Sequence, residues 1–89
     1  MLETIFTFLA LVNCYPQDAV IISNHDEPTF YSEGIVYIAP GDYKDHILVH
    51  ELVHHCQWKE AGNLPAQTSE EWHKRERQAK IMEHFYFNY

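Results

Sequence analysis

The stretch Val49-His50-Glu51-Leu52-Val53-His54 places two imidazoles four residues apart, with a carboxylate directly after the first. On an α-helix, residues i and i+4 stand nearly above one another, so His50 and His54 can offer two ring nitrogens to one tetrahedral ion. Glu51 then lies about 100° round the helix from His50. Its carboxylate can act on a water beside the ion without itself being a ligand. This is the mechanical content of an H-E-x-x-H turn: two ligands and one general base. His46 extends the same stripe, but His46 and His54 lie about 12 Å apart along the axis, too far to share an ion. With seven histidines in 89 residues, a solvated histidine face stays open as a reading. Two ligands do not complete a site, and the third must come from elsewhere in the chain.

Glu76 is the candidate. It is followed by Arg77-Gln78-Ala79, and Ala79 stands one turn on, close to the same face. A small residue there lets two helices approach closely enough for a glutamate to reach the ion.

H-E-x-x-H on one helix and E-x-x-A on the next, across a short turn-rich connection, resembles the gluzincin branch of the zincin metallopeptidases. The likeness is closest to the minigluzincins, which reduce that fold to about this size. As motif it covers residues 50–54 and 76–79; as architecture it covers nearly the whole chain. The resemblance implies Zn²⁺ held by His50, His54 and Glu76, one ion per chain. It implies Glu51 as the base that activates a water for attack on a peptide carbonyl. It also implies that the strand before the metal helix, here Ile35–Ala39, aligns the substrate backbone. Two features depart from the family. Many gluzincins carry an acid four residues after the ligand glutamate, where this chain has Lys80, so support for the zinc histidine must come from another residue. These 89 residues also hold no counterpart of the C-terminal subdomain that supplies an oxyanion donor in larger gluzincins, so the resemblance leaves that role to be filled from within them. Tyr43, His73, His84, Tyr86 and Tyr89 are the candidates for that role, and spacing does not choose among them.

The elements that must position these residues follow from periodicity and punctuation. Leu2, Ile5, Phe6, Leu9 and Val12 fall at helical spacing over residues 2–13, with Pro16 as the stop. AVIIS at 19–23 suits a strand. TFY at 29–31 and IVYIA at 35–39 flank Ser32-Glu33-Gly34, a hairpin with Gly34 in the awkward backbone conformation. Asp45 to about Lys59 reads as a helix with an acid at its start and a lysine at its end. Ala61-Gly62-Asn63-Leu64-Pro65 closes it, and Thr68 with Glu71 resembles a capping box for a last helix over Ser69–Tyr86. The expected fold is a single α+β domain over residues 1–89. It has a backing helix, a small three-stranded sheet, the H-E-x-x-H helix and a C-terminal glutamate helix.

Composition bounds the partners. Hydrophobic content of 46% with 15% aromatics specifies a folding chain. A net charge of −7 excludes a basic nucleic-acid face. All six Lys and Arg lie at Lys44 or later, and residues 1–43 carry Glu3, Asp18, Asp26, Glu27, Glu33 and Asp42. If that half lines the cleft, it favours basic peptide or protein substrates; the alternative is a solvated acidic surface. The apolar N-terminal stretch is too short to span a bilayer and carries Glu3 without a positive leader, so no membrane association and a cytoplasmic location are expected. Cys14 and Cys56 read as buried thiols, with one bridge as the alternative. His55 is expected against the neighbouring helix or solvent, and Trp58 and Trp72 as packing residues at helix ends. The aromatic end, Phe85 to Tyr89, either packs onto the sheet or serves self-association. The leading functional expectation is a zinc-dependent peptidase. The alternative is a non-catalytic, zinc-stabilised protein-binding module.

Overall fold

Three helices and three strands follow one another as α1 (Leu2–Ala10), β1 (Val20–Ile22), β2 (Phe30–Ser32), β3 (Ile35–Tyr37), α2 (Asp45–Glu60) and α3 (Ser69–Phe87). The structure, a computed structural model, describes residues 2–23 and 26–88. The architecture is α+β, as expected from the sequence.

Helix α1 buries Ile5, Phe8 and Leu9 on one face. Its stop comes before Pro16. Asn13 takes a left-handed conformation (φ 59°), its N–H bonds to the Ala10 carbonyl at 3.1 Å, and the Cys14 N–H bonds to that of Leu9 at 3.0 Å. These two bonds form a Schellman cap, with Asn supplying the positive φ more often supplied by glycine. Helix α2 closes the same way. Gly62 (φ 72°) bonds to the Lys59 carbonyl at 3.0 Å and the Asn63 N–H to that of Trp58 at 2.9 Å. At the start of α3 the Thr68 hydroxyl accepts the Glu71 N–H at 3.1 Å. The reciprocal arm of the capping box lands one residue early, since the Glu71 carboxylate accepts the N–H of Gln67 rather than of Thr68.

The sheet has the order β1-β3-β2, with β1 parallel to β3 and β2 antiparallel to it. The β2–β3 hairpin turns on two residues, Glu33 (φ 45°) and Gly34 (φ 90°). Positive φ at both central positions is the signature of a type I′ turn, whose twist matches that of the strands. Ser32 therefore belongs to the strand, and Glu33 shares the strained region with Gly34. Val36 and Ile38 are fully buried and cluster with Ile5, Leu9, Leu48, Val49 and Leu52 to form the core.

Helix α3 packs more extensively on α2 than any other pair of elements, through Ala79, its only buried residue. The absence of a longer side chain at that position sets how closely the two axes approach. At the far end the Tyr86 hydroxyl donates to the Asp45 carboxylate at 2.7 Å, and its ring meets Phe8 edge-on at 5.2 Å. The aromatic C-terminus therefore packs on α1 and α2 rather than on the sheet. Phe85 and Phe87 are exposed, with Phe87 stacked on His46; Tyr89 lies outside the described residues.

The cysteines are not free thiols. Cys14 and Cys56 form a disulfide across 42 residues, because the Asn13 turn folds Cys14 back against α2. A loop of that length corresponds to about 4 kcal/mol of stabilisation in the chain-entropy account. Among the described residues, no helix is long and apolar enough to cross a membrane.

Candidate metal centre

The periodicity of α2 turns His50 and His54 toward α3, and Ala79 lets α3 bring Glu76 against them. The three residues offer ligand atoms that all lie within 4.8 Å of one another, each half-buried. The Nε2 atoms of both rings point at one oxygen: His50 Nε2 touches Glu76 Oε1, and His54 Nε2 lies 3.5 Å from it.

The opposite nitrogens are occupied. His50 Nδ1–H donates to the Glu83 carboxylate at 3.0 Å, and His54 Nδ1–H donates to the Gln57 side-chain carbonyl at 2.8 Å. The Gln57 carbonyl assigns the His54 proton to Nδ1, and with His50 Nδ1 donating to Glu83 both Nε2 atoms are left to present lone pairs to an ion. Burial holds the His54 pKa below its ordinary value, against the hydrogen bond to Gln57 and the charge of Glu76. A neutral His54, a second imidazole and a carboxylate thus direct acceptors at one point. Such a set can surround a cation, and without one the His50–Glu76 contact is a hydrogen bond. Two imidazole nitrogens and one carboxylate oxygen, with their outer nitrogens tied, are a donor set that fits Zn²⁺.

Two of the residues that hold this arrangement were not identified from spacing. Glu83 stands two turns after Glu76 and takes the supporting role for which Lys80 is chemically unsuited. Gln57, three residues after His54, is buried. Its amide donates to the Arg75 carbonyl at 2.9 Å and to the Gln78 side chain at 2.7 Å. One glutamine therefore orients His54 and ties α2 to α3 at the level of Glu76. The available signal was positional: i+3 and i+7 offsets keep a residue on the same helical face.

Glu51, directly after His50 on α2, is buried and lines the same cleft as the three candidate ligands. Burial pushes its pKa up to about 7, opposed by the nearby His50 and reinforced by the charges of Glu76 and Glu83.

These residues open onto a cleft of about 550 Å³. Phe30, Ser32 and Glu33 line one side of it, and Trp72 and Arg75 line the other. Strand β3 cannot align a substrate, since it is paired along both edges; the sheet edge at this cleft is β2. Of the acids in residues 1–43, only Glu33 lines the cleft among the described residues. The oxyanion candidates do not converge there either: Tyr43, His73, His84 and Tyr86 are all absent from its lining. His73 is exposed and lies edge-on to Trp72, and Tyr86 is committed to Asp45. Trp72 is not a packing residue but an exposed aromatic wall, 54% accessible. Trp58 does pack, against Tyr31 and His55.

His55 lies neither against α3 nor in solvent. It is buried beneath the hairpin, where its Nε2–H donates to Asp18 at 2.8 Å. Its Nδ1 accepts the Tyr31 hydroxyl at 2.7 Å, and that hydroxyl accepts the Gly34 N–H at 2.7 Å. Burial carries the Tyr31 phenol up to about 12, so it remains a donor at all physiological pH. Hydrogen bonds from Lys59 first and His55 second bring the Asp18 carboxyl down to about 2. This chain pins β2, the cleft wall, onto α2.

In comparison with known proteins, the chain matches no family model, no curated protein and no solved structure.

Proposed function

We propose that the chain is a zinc-dependent peptidase of the gluzincin kind, most similar to the minigluzincins. The observation that carries this reading is the convergence of His50, His54 and Glu76, with both histidine Nδ1 atoms tied off, beside a buried glutamate in an open cleft. A zinc ion held by those three residues would supply a Lewis acid and raise the acidity of water. Glu51 accepts the proton of the attacking water and returns it to the leaving amine, a role suited by its place directly after His50 and on the lining of the cleft. The outer edge of β2 presents backbone donors and acceptors to an extended peptide, while the hairpin turn and the Tyr31–His55–Asp18 chain keep that edge in place. Glu83 and Gln57 orient the ligand rings.

The Cys14–Cys56 bond bears on the compartment. Disulfides persist in oxidising surroundings, so we read the protein as working there rather than in the cytoplasm that the sequence suggested.

Zinc content of the wild type and of Glu76→Ala, together with cleavage of a peptide library by the wild type and Glu51→Gln, tests the proposal. It expects about one zinc per wild-type chain, a sharp loss in Glu76→Ala, and zinc retained but activity reduced by at least ~100-fold in Glu51→Gln. Zinc in the wild type with no cleavage would leave the non-catalytic, zinc-stabilised module. No zinc after reconstitution would sink both readings.

A further inference from the structure

The charges along the cleft do not match a preference for basic substrates. Glu51 and Glu76 are absorbed by the proposed base and ligand roles, which leaves Glu33 on one wall and Arg75 on the other. Arg75 is the only cation among the described residues that line the cleft. It is half-buried, and no carboxylate of the described residues pairs with it. Its side chain makes one hydrogen bond, from Nη1 to the Leu64 carbonyl at 3.2 Å. That bond anchors the guanidinium to the α2–α3 connection and leaves most of its donors uncommitted.

The backbone beneath Arg75 is fixed as well. Its carbonyl accepts from Gln57, the residue that orients His54, and it directly precedes Glu76 in the chain. The guanidinium is therefore held at a set place relative to the candidate metal centre. One turn earlier Trp72 offers an exposed aromatic face on the same wall. A planar fork of donors beside an aromatic surface recognises a carboxylate bidentately while the ring covers the neighbouring apolar chain.

We propose that Arg75 is the specificity residue of this cleft, binding a carboxylate on the substrate. The proposal rests on the peptidase reading and adds a substrate class to it: peptides with an anionic group close to the cut bond. That group is either the free C-terminus, which makes the activity an exopeptidase, or an Asp or Glu side chain, which makes it an acid-directed endopeptidase.

Binding to Glu51→Gln separates recognition from catalysis. Both tryptophans of the chain line the cleft, so their fluorescence reports occupancy. Three probes suffice: a short N-acetylated peptide with uncharged side chains and a free C-terminus, its C-terminal amide, and the amide with one internal Glu. Each is titrated into the zinc-loaded and the metal-free protein. At least one carboxylate-bearing peptide is expected to bind tenfold or more tightly than the neutral amide. Arg75→Met should reduce that preference to under twofold, and Arg75→Lys should keep part of it. The probe that shows the preference identifies the source of the carboxylate. Equal binding of acid and amide, no binding of any probe, or a preference that survives Arg75→Met would overturn the assignment. In the last case the carboxylate goes to the metal. Absence of cleavage by the wild type would count against the peptidase reading alone.

Discussion

Removal of Glu83 tests the architecture of the candidate metal centre more sharply than removal of a ligand. Its carboxylate accepts the His50 Nδ1–H at 3.0 Å, which fixes the tautomer and aims Nε2 at Glu76. Loss of such an orienting partner costs about 10- to 100-fold in metal affinity, or about 1.4–2.8 kcal/mol. The Glu83 side chain is 27% exposed, so water replaces part of the lost acceptor and the lower end applies. Glu83→Ala should weaken zinc binding by about tenfold, measured by competition with a chromophoric chelator. Glu83→Gln should fall between it and the wild type, because an amide oxygen still accepts the bond. Lys80→Ala, four residues after Glu76 at the position where many gluzincins carry an acid, should change affinity by less than twofold. A Glu83→Ala protein that binds zinc as tightly as the wild type would refute the argument, and so would a larger effect at Lys80.

Ala79 is fully buried against α2, so Ala79→Leu should cost about 1–3 kcal/mol by overpacking and displace Glu76; thermal melts and zinc content should fall together, and a stable variant with full zinc would contradict the close-approach account. Replacing both cysteines with serine removes a 42-residue linkage and should lower stability by about 2–4 kcal/mol, roughly 10–20 °C in Tm for a chain this size; an unchanged Tm would show that the bridge does not constrain the chain. Asp18 has its pKa depressed from 3.8 to about 2, so its ionised form contributes stability above about pH 4, and that contribution is lost as the pH falls toward 2. Because the carboxylate is 57% exposed, screening keeps its ion-pair share below about 1 kcal/mol. Melts of the wild type and Asp18→Asn from pH 6 to 2 should converge at the acid end, and a constant gap down to pH 2 would discount the titration.

Much of the local structure was readable in advance. The relation among His50, Glu51 and His54 depends only on 3.6 residues per turn, and Glu76 with Ala79 on the periodicity of a second helix. Gly62, Thr68 and Glu71 marked helix ends because capping is chemistry within a few residues, although Asn13 ended α1 before the more conspicuous Pro16. The rest required parts of the chain that spacing does not relate. Sequence order makes β3 the last strand, yet β1 pairs with it from the other side and leaves β2 as the edge at the cleft. Cys14 meets Cys56, Asp18 meets His55, and Glu83 meets His50 because separate elements pack at particular depths and rotations. The sequence by itself determined the angles between side chains within each helix and where the helices stop. Only the tertiary structure decided which side chains face one another across elements, since that depends on how the core fills between helices and sheet.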